Sequence, residues 1–280
     1  MWLTLAIFSA LLLGVYDVAK KGALKHNGVL WILFTSTVLA TLFLCPFLSH
    51  GSLSDHLCLV FKAFLVSTSW VTGMLALKML PITTVSTFKA SRPVFVLLFS
   101  ILIYGEKLNA WQWAGSLLSI LAIWMLSLSS KREGISFTRS RGVLYMSLAV
   151  FSGVASALWD KHIMGFLEPL FVQSWTNLYI SLLLGICLLI QKARGEFRPL
   201  KWDWTLPLIA VIITGADYLY FKALHEPGAM ISVIALIRRA SVIITFALGA
   251  ILFKERNLRS KSVSLAVMLL GMILIVIGTA

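Results

Sequence analysis

The chain has 280 residues, 59% of them hydrophobic and only 12% charged, with a formal net charge of +13. Soluble domains carry nearer ~25% charged residues, so this is a membrane protein, with no length left over for a soluble catalytic domain. Most basic residues fall in short loops, where membrane orientation explains them better than nucleic-acid binding does.

Apolar runs between polar breaks predict about ten membrane helices, each near the ~20 residues that a bilayer needs. In chain order they fall near Trp2–Ala19, Gly28–Ser49, Leu57–Leu80, Ile82–Tyr104 and Ala110–Ser129, then Arg141–Met164, Leu170–Ile190, Trp204–Leu224, Gly228–Phe253 and Arg259–Thr279. The first lacks a basic leader and a clear small-residue cleavage site, and is expected to be a retained helix. Leu80-Pro81, Glu168-Pro169 and Glu226-Pro227-Gly228 supply stop or start signals. Trp31, Trp70, Trp111, Trp113, Trp202 and Trp204 fall close to segment ends, as interfacial aromatics do. Cys45, Cys58 and Cys187 have neither metal-ligand nor disulfide spacing and read as small buried hydrophobes. No metal site and no cofactor is expected.

Lys and Arg cluster after the first, fifth, seventh and ninth segments: Lys20, Lys21 and Lys25; Lys131 to Arg141; Lys192 to Lys201; Lys254 to Lys261. Loops after even-numbered segments are nearly bare, Lys107 being the clearest exception. The positive-inside rule then predicts a multi-pass protein of the plasma (inner) membrane with both termini outside.

The chain also repeats itself. Residues 91–108, SRPVFVLLFSILIYGEKL, resemble 241–258, SVIITFALGAILFKERNL, and within them a shift of 149 sets Glu106 opposite Glu255. Upstream the shift is nearer 143, and Asp17 meets Asp160. Two five-helix halves result, 1–130 and 141–280, and an odd helix count inverts the second relative to the first. In the last helix of each half, Gly115, Ala122 and Ser129 fall opposite Ser264, Gly271 and Gly278. These stripes read as packing faces, within the bundle or between copies, so monomer and homodimer both stay open.

Pro93 through Gly105-Glu106-Lys107, Ala223-Leu224 with Pro227, and Lys254-Glu255-Arg256 make the chain resemble ten-helix members of the drug/metabolite transporter superfamily, those with two EamA domains. The resemblance covers the whole chain. It implies a compact bundle whose fourth and ninth spans line a central cavity, operating by alternating access. Many ten-helix members are thought to have cytoplasmic termini; the basic loops here argue the reverse.

Arg238 and Arg239 sit inside the ninth segment, and Lys89 and Arg92 inside the fourth. A charge at the bilayer centre costs roughly 2.5–3.5 kcal/mol, so four such cations mark a candidate site. The internal shift sets Lys89 opposite Arg238, an equivalent depth on each cavity-lining helix, and Arg92 follows Lys89 by one turn on nearly the same face. The sugar-phosphate and nucleotide-sugar branches of the superfamily use basic residues on these helices for the substrate's anionic group. The resemblance carries that role to Lys89, Arg92, Arg238 and Arg239. Asp17, Asp160 and Asp217 lie in the first, sixth and eighth segments as charge partners or as coupling groups for a proton or counter-substrate. Asp17, beside Lys20 and Lys21, reads more readily as a solvated helix-end group. Trp175, Tyr218 and Tyr220 are candidate cavity aromatics. Glu106 and Glu255 read as loop-ordering groups.

The expected function is secondary transport of a small anionic or zwitterionic metabolite, with lipid and solute as the partners. One alternative is export of amino acids or cationic drugs on the aspartates. Another is a lipid flippase or integral membrane enzyme acting on a phosphate-bearing lipid. Only Asp160-Lys161-His162 approaches an acid/base cluster, and no Walker motif is present, so the chain is not read as an enzyme or an ATP-driven pump.

Overall fold

A computed structural model of the chain describes residues 2–104, 108–131, 133–135, 137, 139–163, 166–195, 199–225, 237–238, 240–255 and 257–278. The elements are α1 (Trp2–Ala23), α2 (Val29–Leu44), a 3-10 turn (Cys45–Phe47), α3 (Leu53–Met79), α4 (Ile82–Lys89), α5 (Arg92–Tyr104) and α6 (Ala110–Lys131). The second half holds α7 (Arg141–Ile163), α8 (Pro169–Ala193), α9 (Thr205–His225), α10 (Ser241–Phe253) and α11 (Leu258–Ile277). Seven of the described helices are long and apolar enough to cross a membrane by themselves. The fold is all-α, as expected.

Local chemistry sets the boundaries. α3 starts earlier than hydropathy alone indicates because Ser52 and Asp55 form a reciprocal capping box. Leu80, extended before Pro81, separates α3 from α4. The fourth predicted span is two helices of 8 and 13 residues, interrupted at Ala90–Ser91. Pro93 explains the interruption, since it lacks an N–H and its ring clashes with the carbonyl four residues back. The chain closes the gap with tighter bonds, Ser91 N–H to Phe88 O at 3.1 Å and Val94 N–H to Ser91 O at 3.0 Å. The same two bonds recur 149 residues on: Ala240 N–H to Ile237 O at 3.0 Å and Ile243 N–H to Ala240 O at 2.9 Å. Val242 stands there in place of Pro93. The break is therefore a property of the fold, reproduced without its proline.

Packing crosses between the halves. α1 lies against α9, α3 against α7, α2 against α8 and α6 against α11, while α10 touches α1 and α4. Exchanging the halves maps this pattern onto itself, the signature of an inverted repeat. The small-residue stripes meet inside the bundle, at the α6–α11 seam. A side chain on Gly115 would strike the backbone oxygen of Gly271, and one on Gly271 would strike Ser119 and the oxygen of Gly115. Ala122 and Ser264 are fully buried there.

The helix ends near residues 23–29, 79–82, 131–141, 193–205 and 253–258 share one face, the basic face. Asn27 and Lys201 exchange two hydrogen bonds of 2.8 and 2.9 Å, and the Asn257 amide donates to Ser129 O at 2.7 Å. The largest apolar cluster, with Ile32, Leu77, Ile82, Met146, Leu184 and Ile209, packs mainly the half of the bundle nearest this face. Three polar ties complete the closure. Lys21 donates to the carbonyls of Leu77 and Leu80, the latter at 2.8 Å, and so caps the end of α3. The Glu255 carboxylate accepts from Ile82 N at 2.6 Å, from Thr83 N at 3.1 Å and from the Thr83 hydroxyl, capping α4 from the other repeat. Left-handed backbone at Lys254 and Asn257 turns Glu255 toward α4. Lys261 is fully buried, 2.8 Å from Glu133 and 3.1 Å from the Thr83 hydroxyl.

These contacts bear out Glu255 as an ordering group; Glu106 lies outside the described residues. They correct the reading of Lys20, Lys21 and Lys261 as loop charges, because α1 continues to Ala23 and α11 begins at Leu258. The cysteines also differ from expectation. Cys45, in the turn after α2, and Cys187, on the outer surface of α8, are exposed; on a span a thiol suits lipid as well as a core.

Candidate functional site

Each helix break leaves a cation on its last turn, and each cation has found a carboxylate on a neighbouring helix. Lys89, ending α4, sits 3.2 Å from Asp17 of α1. Arg238, just before the second break, pairs with Asp217 of α9 and lies with its guanidinium 4.2 Å over the Tyr220 ring. Both pairs are partly exposed: the side chains are 30% and 22% exposed in the first, 22% and 25% in the second. Tyr16, next to Asp17 on α1, is buried beside the first pair.

The two cations are related by the repeat but do not share a depth. Lys89 lies seven residues into α4, about 10 Å from its basic-face end at 1.5 Å per residue. Arg238 lies 15 residues before the end of α10, about 22 Å from that same face. Inversion turns equal positions in the repeat into mirrored positions about the midplane. The two ion pairs consequently lie at different depths along the bundle, one cation toward each face.

Arg92 leaves this site. The break rotates it away from Lys89, and its guanidinium donates to the Ser69 hydroxyl at 3.1 Å and to Ala149 O at 3.2 Å, while Ser69 also donates to Ala149 O at 2.7 Å. It rests against Gly153, where any side chain would occupy the guanidinium's place. Arg92 thereby clamps α5 to the α3–α7 seam. Arg239 lies outside the described residues.

Asp160 also stands apart, near the face opposite the basic one, 2.5 Å from Lys62 of α3. Asp17 has the opposite character from that expected: it lies inside α1, held by Lys89, and is no helix-end group. Of the three aromatics predicted for the cavity, Tyr220 lies against a cation. Tyr218 is exposed on the outer surface. Trp175 packs edge-on to His56, stacks with Tyr179 and donates to Ser49 O at 2.9 Å, in an apolar cluster that also holds Leu59, Trp159 and Phe171.

One buried cation close to the first pair was missed. Lys20 is 6% exposed, with its ammonium 4.0 Å from the Tyr16 ring centroid and 5.6 Å from that of Trp70. The signal was present in the spacing: Tyr16 and Lys20 are four residues apart, on one helix face, with no breaker between Ala19 and Gly22. A separate cavity of about 480 Å³ lies between α5 and α7, walled by Phe99, Phe151, Val154, Leu158 and Trp159 with His162 at its edge. None of the ion pairs lines it. Among the described residues, no group of His, Cys, Asp and Glu is arranged to hold a metal ion.

No curated protein matches the chain. One solved structure, described only as a protein crystal structure, superposes with a TM-score of 0.67 at 14% identity, covering 97% of this chain and 94% of that one. At that identity the likeness shows the fold alone. The family model of EamA-like transporters matches residues 1–128 and again residues 140–277, one match to each five-helix half. The chain thus belongs to the EamA-like transporter family, a family of membrane transporters within the drug/metabolite transporter superfamily.

Proposed function

We propose that the protein is a secondary transporter of a small organic anion, phosphate- or carboxylate-bearing, and that Lys89 and Arg238 are its two contact points, one toward each end of the cargo, as the bundle alternates access between the two faces. The observation that carries this reading is the recurrence of a helix break ending in a partly exposed cation at both positions of the inverted repeat. Broken helices at a repeat interface are where transporters of this architecture hold substrates and ions.

The aspartates keep the cations neutralised between cargo molecules. An arriving oxyanion competes with Asp17 for Lys89 or with Asp217 for Arg238, and an arginine offers such a group two parallel hydrogen bonds. A carboxylate freed in this exchange is then available to a proton or a counter-substrate, which couples the movement of one to the other. A zwitterion fits the same geometry, its carboxylate on a cation and its amine on an aspartate. The well-packed basic face belongs to a state with that side closed.

The test is a thermal-shift screen of purified protein against phosphorylated sugars, nucleotides, carboxylates and amines. Stabilisation by anions that is lost in Arg238→Gln is the expected result. Stabilisation by amines alone, undiminished in Arg238→Gln, assigns the site to cationic cargo on the aspartates and rejects the proposal.

A further inference from the structure

The charges around Asp17 do not balance. The Asp17 carboxylate lies 3.2 Å from Lys89, and Lys20 follows Asp17 by three residues on α1. Asp217, the next carboxylate along the site, is taken by Arg238. Among the described residues Lys20 makes no ion pair and no side-chain hydrogen bond; its ammonium meets only the faces of Tyr16 and Trp70. Yet Lys20 is 94% buried, taking its 6% exposure from the whole. Two ring faces offset only part of the cost of burying an ammonium, and a buried charge without a counter-charge is among the more destabilising features a fold can hold. Lys261, the other deeply buried lysine, shows the usual solution: a carboxylate at 2.8 Å. Among the described residues, three cations (Lys20, Lys89, Arg238) therefore face two carboxylates (Asp17, Asp217), and the unmatched charge is on α1.

We infer that Lys20 is a cargo-binding residue that takes one oxyanion together with Lys89, and that Tyr16 and Trp70 hold its ammonium in position for that contact. The inference rests on the anion reading above and sharpens it, placing the cargo's charged group at the basic-face end of the site, between α1, α3 and α4. The bound oxygen of a carboxylate or phosphate supplies the negative charge that the protein leaves out. Tyr16 stands four residues before Lys20 on the same helix face, and Trp70 comes from α3. The cage is thus built across helices and pre-organised. Arg238, toward the opposite face, is left to contact the far end of the cargo or to release Asp217.

The experiment uses detergent-purified full-length protein titrated with inorganic phosphate, with succinate and, as cationic control, with methylamine, and reads affinity from the thermal shift. The two anions separate phosphate from carboxylate recognition. Lys20→Met is expected to weaken binding of whichever anion stabilises the wild type by at least about tenfold, the equivalent of one charge-assisted hydrogen bond. Its unliganded Tm should be equal to or above wild type, because an uncompensated charge has been removed. A merely structural lysine would do the reverse, lowering the unliganded Tm and leaving the affinity alone. Lys20→Arg, which keeps the charge, should bind more tightly than Lys20→Met. If the Met variant does not purify, Lys20→Gln replaces it, with the same comparison to Lys20→Arg. Wild-type affinity in the neutral variant overturns the assignment of Lys20 while the anion reading stands. A wild type shifted by methylamine alone, or by none of the three, rejects the anion reading and the Lys20 assignment with it.

Discussion

Lys261 and Glu133 offer a measurement of how firmly the basic face is shut. The lysine is fully buried, its ammonium 2.8 Å from a carboxylate that is itself only 13% exposed, and 3.1 Å from the Thr83 hydroxyl. Lys261→Met preserves the stem and removes the charge, which strands Glu133 in a space with little water. Breaking one side of a buried pair costs about 3–5 kcal/mol. For a chain of this size each kcal/mol moves Tm by roughly 2–4 °C, so a fall of roughly 6–20 °C is expected. Lys261→Met combined with Glu133→Leu removes both charges and should return to wild-type stability or exceed it by about 1–4 kcal/mol, since two desolvation penalties vanish along with the attraction. The assay is thermal unfolding of the four proteins of the cycle in one detergent. A Lys261→Met protein within about 2 °C of wild type, on the same scale, would refute the argument. So would a double variant as unstable as the single one.

Other expectations follow from the glycines and the cysteines. Gly271→Val forces a side chain against the Gly115 oxygen and the Ser119 backbone and should cost at least about 1–3 kcal/mol. Gly22→Ala, with nothing within 4 Å of the added carbon, should stabilise α1 by about 0.5–1 kcal/mol. Thermal unfolding of both variants checks the pair, and equal effects would contradict the close α6–α11 approach. Cys45 is exposed in the turn after α2, on the face opposite the basic one. If the termini are outside, a membrane-impermeant maleimide should label it on intact cells, and Cys45→Ser should abolish that labelling. Labelling only after permeabilisation reverses the orientation.

Much of the fold was legible because the bilayer demands long apolar runs, and few soluble-style compromises blur them. Pro93 announced the first break. Nothing announced the second, because Val242 is an ordinary helix residue. The central cations were legible as a cost, yet their partners were not. Lys89 and Arg238 are related by the repeat, but Asp17 and Asp217 are not: the residue related to Asp17 is Asp160, which the structure gives to Lys62. Charge pairing departs from the symmetry that the apolar packing obeys. A side chain's partner is chosen across helices, and spacing along one helix carries no record of it. Lys20 was missed for a simpler reason. Ending a span at its first ammonium assumes the charge seeks water, and here it turns inward under two aromatic rings.

The packing of α1 against α9 has a consequence for synthesis. The Ser9 hydroxyl donates to the carbonyl of Ala216, 207 residues later in the chain. At about 5–20 residues per second, α1 waits roughly 10–40 s after it emerges before that partner exists. Through that interval a helix carrying Asp17, Lys20 and Lys21 must be held where its charges are sheltered, by the insertion machinery or by provisional neighbours such as α4, whose Lys89 arrives much sooner. A chain truncated after the first repeat would leave α1 without α9, α2 without α8, α3 without α7 and α6 without α11. The half-length product should therefore be cleared by membrane proteases and not accumulate as a smaller carrier.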